Sequence, residues 1–202
     1  GVTIQKSNGE VTYTHSNTGT DNAGIHTSPY LEGACFAYLL TGDKKHEHLA
    51  RKIMRGMSAW ILASSKSVND NPKVLSRAFY PASFHSTDGG RNLNVNYDAS
   101  RPGKNTKASH YVHIQNNPYF GDIWLKGKRS IDDIGHMIRA IAQVQSCKTA
   151  FGEEARADLD QLNSLYFAWA KEVDSSNFKI PTYDLAMETI LPKEIIWQKK
   201  KG

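Results

Sequence analysis

Apolar residues recur at helical spacing in four stretches of the 202-residue chain, separated by polar intervals. The first follows Thr27, Ser28 and Pro29, where a hydroxyl residue precedes Pro at a first helical position. Its apolar positions are Leu31, Ala34, Cys35, Tyr38 and Leu39, and Thr41 with Gly42 ends it. Asp43 then caps a second helix running to about residue 64, with an apolar stripe of Leu49, Ile53, Met57, Trp60, Ile61 and Ala63. A third helix spans about 130–148 with Ile131, Ile134, Ile138, Ile141 and Val144 facing a core; Ser130-Ile131-Asp132-Asp133 resembles a capping box with the shorter acid in place of Glu. The fourth, about 152–174, carries Ala155, Leu159, Leu162, Tyr166, Trp169 and Val173. A weaker helical run at 183–191 is broken by Pro192.

Residues 1–26 are rich in Thr, Ser, Asn and Gly, and alternation over 10–15 predicts a strand or hairpin arm. From 65 to 129 helical periodicity disappears and Pro, Gly, Asn, Ser, His and Tyr accumulate, with short extended pieces expected at 74–80, 93–97 and 111–114. A connection that long reads as a binding or lid excursion more readily than as a simple turn. The domain reading is an extended polar lead-in at 1–26, an α/α-hairpin domain at 27–191 containing the 65–129 excursion, and a basic tail at 192–202. Helix, short turn, helix, excursion, helix, short turn, helix predicts a mainly α fold of antiparallel helical hairpins.

Composition narrows the function classes. The chain is 39% apolar and 22% charged, with a formal net charge of +5. Its longest mainly apolar stretch, 34–40, is far short of the roughly 20 residues of a spanning helix, so no membrane partner is expected. The basic excess is most local at Lys199, Lys200 and Lys201, read as a solvated tail, while basic residues elsewhere alternate with acids, so nucleic acid is not expected either. Beginning at Gly1 rather than Met, the chain reads as processed or as a piece of something longer. Cys35 and Cys147 stand among apolar helical positions; two buried thiols is the leading reading, and a disulfide tying two helices in an oxidising compartment is the alternative.

Candidate chemistry concentrates on the third helix. Asp132, His136, Arg139 and Gln143 fall at i, i+4, i+7 and i+11, one polar stripe beside the isoleucine face. That stripe is either a solvated face held by an Asp132–His136 pair, or one side of a polar cavity in which the carboxylate orients the imidazole for acid/base work. Lys126, Lys128 and Arg129 precede it as candidate clamps for an anionic or hydroxyl-rich ligand. The excursion adds Arg77, Tyr80, His85, Asp88, Arg91, Asn94, Asn96, Tyr97, Asp98, Arg101, His110, Tyr111 and His113. Rings beside amides, guanidinium and imidazole groups suit sugar recognition, though a loop of this length also needs polar partners for its own backbone. His46 and His48 lie about 200° apart on a helix and cannot chelate one metal together. With no Gly-rich nucleotide fingerprint, no GxSxG and no zinc spacing, neither cofactor nor metal is expected. Acid/base chemistry remains: paired carboxylates, or a Tyr or His base with Arg and Asn neutralising a uronate.

Two stretches carry a family resemblance. His26-Thr27-Ser28-Pro29-Tyr30-Leu31-Glu32-Gly33, continued by Tyr38, Thr41-Gly42-Asp43 and Leu49-Ala50, resembles a hairpin of the α/α-toroid carbohydrate-active proteins, in which a TGD-like turn joins inner and outer helices. Lys128-Arg129-Ser130-Ile131-Asp132-Asp133-Ile134-Gly135-His136 is similar to helix starts whose polar side faces the central cleft there. A closed ring needs about twelve helices, more than this chain supplies at roughly 20–30 residues each, so part of a toroid or an open array is expected, with a second chain completing the ring. The resemblance implies a secreted or periplasmic polysaccharide lyase or glycoside hydrolase. Asp132, His136 and Arg139 would be catalytic, and Arg77, Tyr80, His85, Arg91, Tyr97, Arg101, His110 and Lys128 would hold a polysaccharide or oligosaccharide. The alternative is a non-catalytic helical binding or assembly module.

Overall fold

The computed structural model describes residues 2–7, 10–15, 23–70, 72, 74–81, 87–88, 91–92, 111–126, 131–184 and 189–194. Its helices are α1 (Ala23–Thr41), α2 (Lys44–Leu62), α3 (Ile131–Val144) and α4 (Glu153–Ser175). Its strands are β1 (Val2–Ser7), β2 (Glu10–His15), β3 (Ala78–Pro81), β4 (Thr87–Asp88), β5 (Arg91–Asn92), β6 (Tyr111–Asn117), β7 (Gly121–Lys126), β8 (Lys179–Asp184) and β9 (Thr189–Glu194). The fold is mainly helical with a small antiparallel sheet of order β3-β7-β6, and β1-β2, β4-β5 and β8-β9 form two-stranded ladders.

Local chemistry explains the sharpest boundaries. Gly42, at φ +65°, makes the left-handed exit from α1, its N–H donating to the Tyr38 carbonyl at 2.8 Å. Asp43 follows in extended backbone and accepts the Lys45 N–H at 3.0 Å, capping α2 as its side chain predicts. In α4 all six expected apolar residues, from Ala155 to Val173, are buried.

Other expectations are corrected. α1 begins at Ala23, and Pro29 lies inside it. The early start is supported from outside the helix, by an Asp133 oxygen that accepts the Ile25 N–H at 3.2 Å. In α2 the buried face is Ala50, Met54, Met57 and Ile61, whereas Leu49 is exposed, because the helix packs on both α1 and α4 and its apolar stripe turns between them. In α3, Met137, Ala140, Ile141 and Val144 face the core and Ile138 does not; a 3-10 turn, Gln145–Cys147, closes this helix. The helix expected at 183–191 is instead β8 paired with β9, in a register that sets Pro181 opposite Pro192; Asn177 and Phe178, at φ 56° and 59°, turn the chain out of α4 before it. Pro192 offers no N–H to continue a helix there, and residues 183–184 and 189–191 instead pair across the β8–β9 ladder.

α1 packs on α2 and α3, and α2 on α4, around a core that includes Leu31, Met54, Ile61, Met137, Leu159 and Leu162. Cys35 and Cys147 lie in this core and are disulfide-bonded, with Cα atoms 5.9 Å apart; the thiol reading is therefore corrected. The bridge ties α1 to the end of α3 across a sequence separation of 112 residues.

The sheet carries a second core of Ala63, Val74, Ile114, Ile123 and Leu125, flanked by Phe79 and Phe120. Asn117 locks it to α2. Its Nδ2 donates to the carbonyls of Leu62, Ala63 and Ser65, each at 3.1 Å, and its Oδ1 accepts the N–H groups of Tyr119 and Phe120. One buried amide thus caps the end of α2 and shapes the β6–β7 turn.

Two outcomes follow. Reduction, or Cys35→Ala with Cys147→Ala, lowers unfolding free energy by about 2–5 kcal/mol in urea titration, since the bridge closes a long loop in the unfolded chain. Asn117→Asp sets a carboxylate against three carbonyls and costs about 2–3 kcal/mol at pH 7. Part of that loss returns in acid, where the protonated side chain regains a donor; an equal loss at pH 7 and pH 3 contradicts the assignment.

Candidate functional site

The polar stripe of α3 runs along the flank of α1. Asp132 is exposed and His136 half-buried. Arg139 is half exposed and donates to Glu32 of α1 through Nε at 3.0 Å and Nη2 at 3.4 Å. With its amide turned to donate, Gln143 Nε2 lies 3.0 Å from both Glu32 oxygens. Two of the four stripe residues therefore converge on one carboxylate of a neighbouring helix.

The buried acid of this region is Asp133, one position along from the stripe. Its Oδ1 accepts the Ile25 N–H, and its Oδ2 lies 3.8 Å from Nε of Arg77, itself largely buried. Gly24 makes that approach possible, because a Cβ there would meet the Met137 sulfur at 2.8 Å and the Asp133 Cβ at 3.0 Å. Arg77 is thus brought to α3, beside the carboxylate that supports the start of α1. His136 Nδ1, one turn along, is buried without a hydrogen-bond partner among the described residues.

The other sugar-binding candidates are placed less fully. Tyr80 stands on β3 opposite Trp124, and Arg91 on β5 opposite Asp88. His85, Tyr97, Arg101, His110 and Lys128 lie outside the described residues, as does the extended piece expected at 93–97. Among the described residues, no three His, Cys, Asp or Glu side chains gather in a metal-holding group.

Two further acids sit between helices. Glu47, nine-tenths buried on α2, accepts the Gly152 N–H at the start of α4 at 2.5 Å and Lys44 Nζ at 2.8 Å. Burial alone would raise this carboxyl, but the Lys44 and Gly152 hydrogen bonds, with the charges of Lys44 and Arg51, outweigh it and hold its pKa below the ordinary value. Asp158 of α4 accepts Arg51 Nε at 2.8 Å and Arg55 Nε at 2.9 Å, while Arg51 also pairs with Glu154. The Asp158 hydrogen bond foremost, with the Asp158 and Glu154 charges, raises the Arg51 pKa.

On the outer side of α3 and α4 lies an apolar groove of about 390 Å³. Ile138, Ile141 and Ala142 form one wall, Phe167 and Ala170 the other, and Tyr166 and Trp169 lie beneath. Gln145 and Asn163 also line it, joined by a 2.8 Å hydrogen bond, and no lining residue is charged. Ile138 is 49% exposed and Phe167 63%. The readable signal for this groove was the helix position of Ile138, on the edge of its apolar face, opposite the Arg139 and Gln143 side.

Comparison with family models, with curated proteins and with solved structures finds no match to this chain.

Glu47 gives a pH-dependent outcome. Its folded pKa is depressed, so its contribution is present above the ordinary Glu range, near 4.3, and is lost as pH falls through the folded value. Glu47→Gln is expected to cost about 1.5–3 kcal/mol at pH 7, and the gap to the parent chain narrows in acid. Urea titrations from pH 7 to pH 3 check this; a constant gap contradicts it.

Proposed function

We propose that this chain is a non-catalytic helical binding or assembly module whose contact surface is the groove between α3 and α4. The observation that carries the reading is the groove's lining, which holds no charged residue, with Ile138 49% and Phe167 63% exposed on either side and Lys171 Nζ over the Phe167 ring at 4.6 Å. An apolar surface of this kind marks a contact site. We read the helices as two antiparallel hairpins side by side. Glu47 near the start of α2 meets the start of α4, and Asp133 near the start of α3 meets the start of α1; both contacts support parallel neighbours, as in an α/α array. The disulfide supports an oxidising compartment, secreted or periplasmic.

The glycan-processing reading keeps one supporting observation, the His136 Nδ1 atom, buried with no hydrogen-bond partner among the described residues, one turn along α3 from Asp133. Against it stand the exposure of Asp132 and the engagement of Arg139 by Glu32.

Two measurements separate the readings. Incubation with neutral and uronate-containing polysaccharides is expected to yield neither new reducing ends nor unsaturated products; turnover that vanishes in His136→Ala overturns the module. At dilute protein, anilinonaphthalene sulfonate fluorescence is expected to rise on binding the groove and to fall several-fold in Phe167→Glu at unchanged far-UV circular dichroism. Fluorescence indifferent to that substitution counts against the groove.

A further inference from the structure

The β8–β9 ladder carries one proline on each strand, at the same rung. Its pairs run from Lys179 opposite Glu194, through Pro181 opposite Pro192, to Asp184 opposite Thr189. In an antiparallel ladder, opposed residues alternate between pairs that exchange both N–H···O bonds and pairs whose backbone groups point away from each other. Proline has no N–H, so Pro181 and Pro192 form a pair of the second kind. The alternation then assigns every rung. Residues 180, 182 and 184 bond to 193, 191 and 189 inside the ladder, while 179, 181 and 183 on β8 and 190, 192 and 194 on β9 turn their backbone groups to the outer edges.

Each outer edge therefore has three successive donor positions, and proline occupies the middle one on both. A strand arriving at either edge would bring a carbonyl against a proline ring, losing its water and gaining no hydrogen bond. Position matters here: a proline shifted by one residue on either strand would instead remove a bond inside the hairpin. The segment has reason to be closed. Open edges are templates for pairing with another chain, and both strands are rich in strand-forming residue types, among them Ile180, Thr182, Tyr183, Thr189 and Ile190. β8 is anchored to the bundle, with Ile180 buried in the helical core and the strand packed on α4, and among the described residues no further strand joins either edge.

We propose that Pro181 and Pro192 act as paired edge stops, which keep β8–β9 a two-stranded ladder and close both of its edges to strand addition by a second copy of this chain. The inference does not depend on the groove between α3 and α4.

Amide exchange in the parent chain tests the assignment directly. Slow exchange is expected at 180, 182, 191 and 193 and fast exchange at 183 and 190, with no change between about 10 and 200 µM protein. Protection at 183 and 190 that grows with concentration overturns the proposal, since strands then add despite the prolines. Substitution tests it from the other side. Pro192→Thr gives β9 the missing outward donor without adding apolar surface, and Pro181→Thr does the same for β8. In sedimentation each is expected to dimerise at concentrations about tenfold or more below any self-association of the parent chain, with an unchanged helical spectrum. The double variant, with both edges open, is expected to form larger species. Thr182→Val is the control: it raises strand propensity at an inward rung, adds no outward donor, and is expected to sediment as the parent chain does. Proline substitutions that leave sedimentation unchanged overturn the proposal, as does an equal gain of association in Thr182→Val.

Discussion

The arrangement of the helices depends on carboxylates placed inside apolar stripes. Apolar burial is non-directional, and two helices can slide or rotate against one another at small cost while it is kept. A buried carboxylate has no such freedom. It costs several kcal/mol unless paired and hydrogen-bonded, and an N–H donor satisfies it over a narrow range of geometry. Glu47 meets this condition at the Gly152 N–H and Asp133 at the Ile25 N–H, each at a helix start where backbone donors have no partner of their own. Asp158 meets it with two arginines of α2. Any shift of α4 along α2, or of α1 along α3, would strand an acid.

The disulfide and the Tyr38 side chain act on the same region. Cys35 and Tyr38 are one turn apart on α1, and the tyrosine hydroxyl donates to the Ala150 carbonyl while its ring stacks on Phe151. The connection from α3 to α4 is therefore pinned to α1 covalently, by a hydrogen bond and by ring contact. Lys44 joins this node through Tyr38 and Glu47, whose hydrogen bonds raise its pKa, the Glu47 bond first. The inner side of α1 is among the most constrained surfaces in the fold, and its outer side carries the same apolar chemistry with nothing charged upon it.

How much of this the sequence displays depends on whether a signal is local. The caps and limits of α2, and the whole apolar face of α4, are local and legible. The start of α1 is not, because its support comes from Asp133, 108 residues away. The β6–β7 pair is legible only in part: 111–114 reads as extended, and Ile114 and Ile123 with Leu125 alternate on either side of an Asn-Asn-Pro turn, but its lock, Asn117, gives no local sign of reaching the end of α2. The buried acids, by contrast, do leave a trace. Asp133 precedes Met137, Ala140 and Val144 on one stripe, and Glu47 precedes Ala50, Met54 and Ile61 on another. An acid at a position where the period demands a hydrophobe marks a tie between helices.

Helix α3 concentrates the difference between periodicity and environment. Its sequence divides into two sides, an isoleucine face and a polar stripe, and two sides suggest core and cavity. Three neighbours divide it differently. Met137, Ala140 and Val144 enter the core; Arg139 and Gln143 are drawn to Glu32; Ile138 and Ala142 are left on the outer flank with Phe167 opposite. Half of the polar stripe, Arg139 and Gln143, is taken up by a structural carboxylate, and the apolar face is wider than the core covers. What this helix leaves over after its neighbours are served is therefore mixed, Ile138 and Ala142 on one flank and Asp132 and His136 on the other, and periodicity alone does not separate the two.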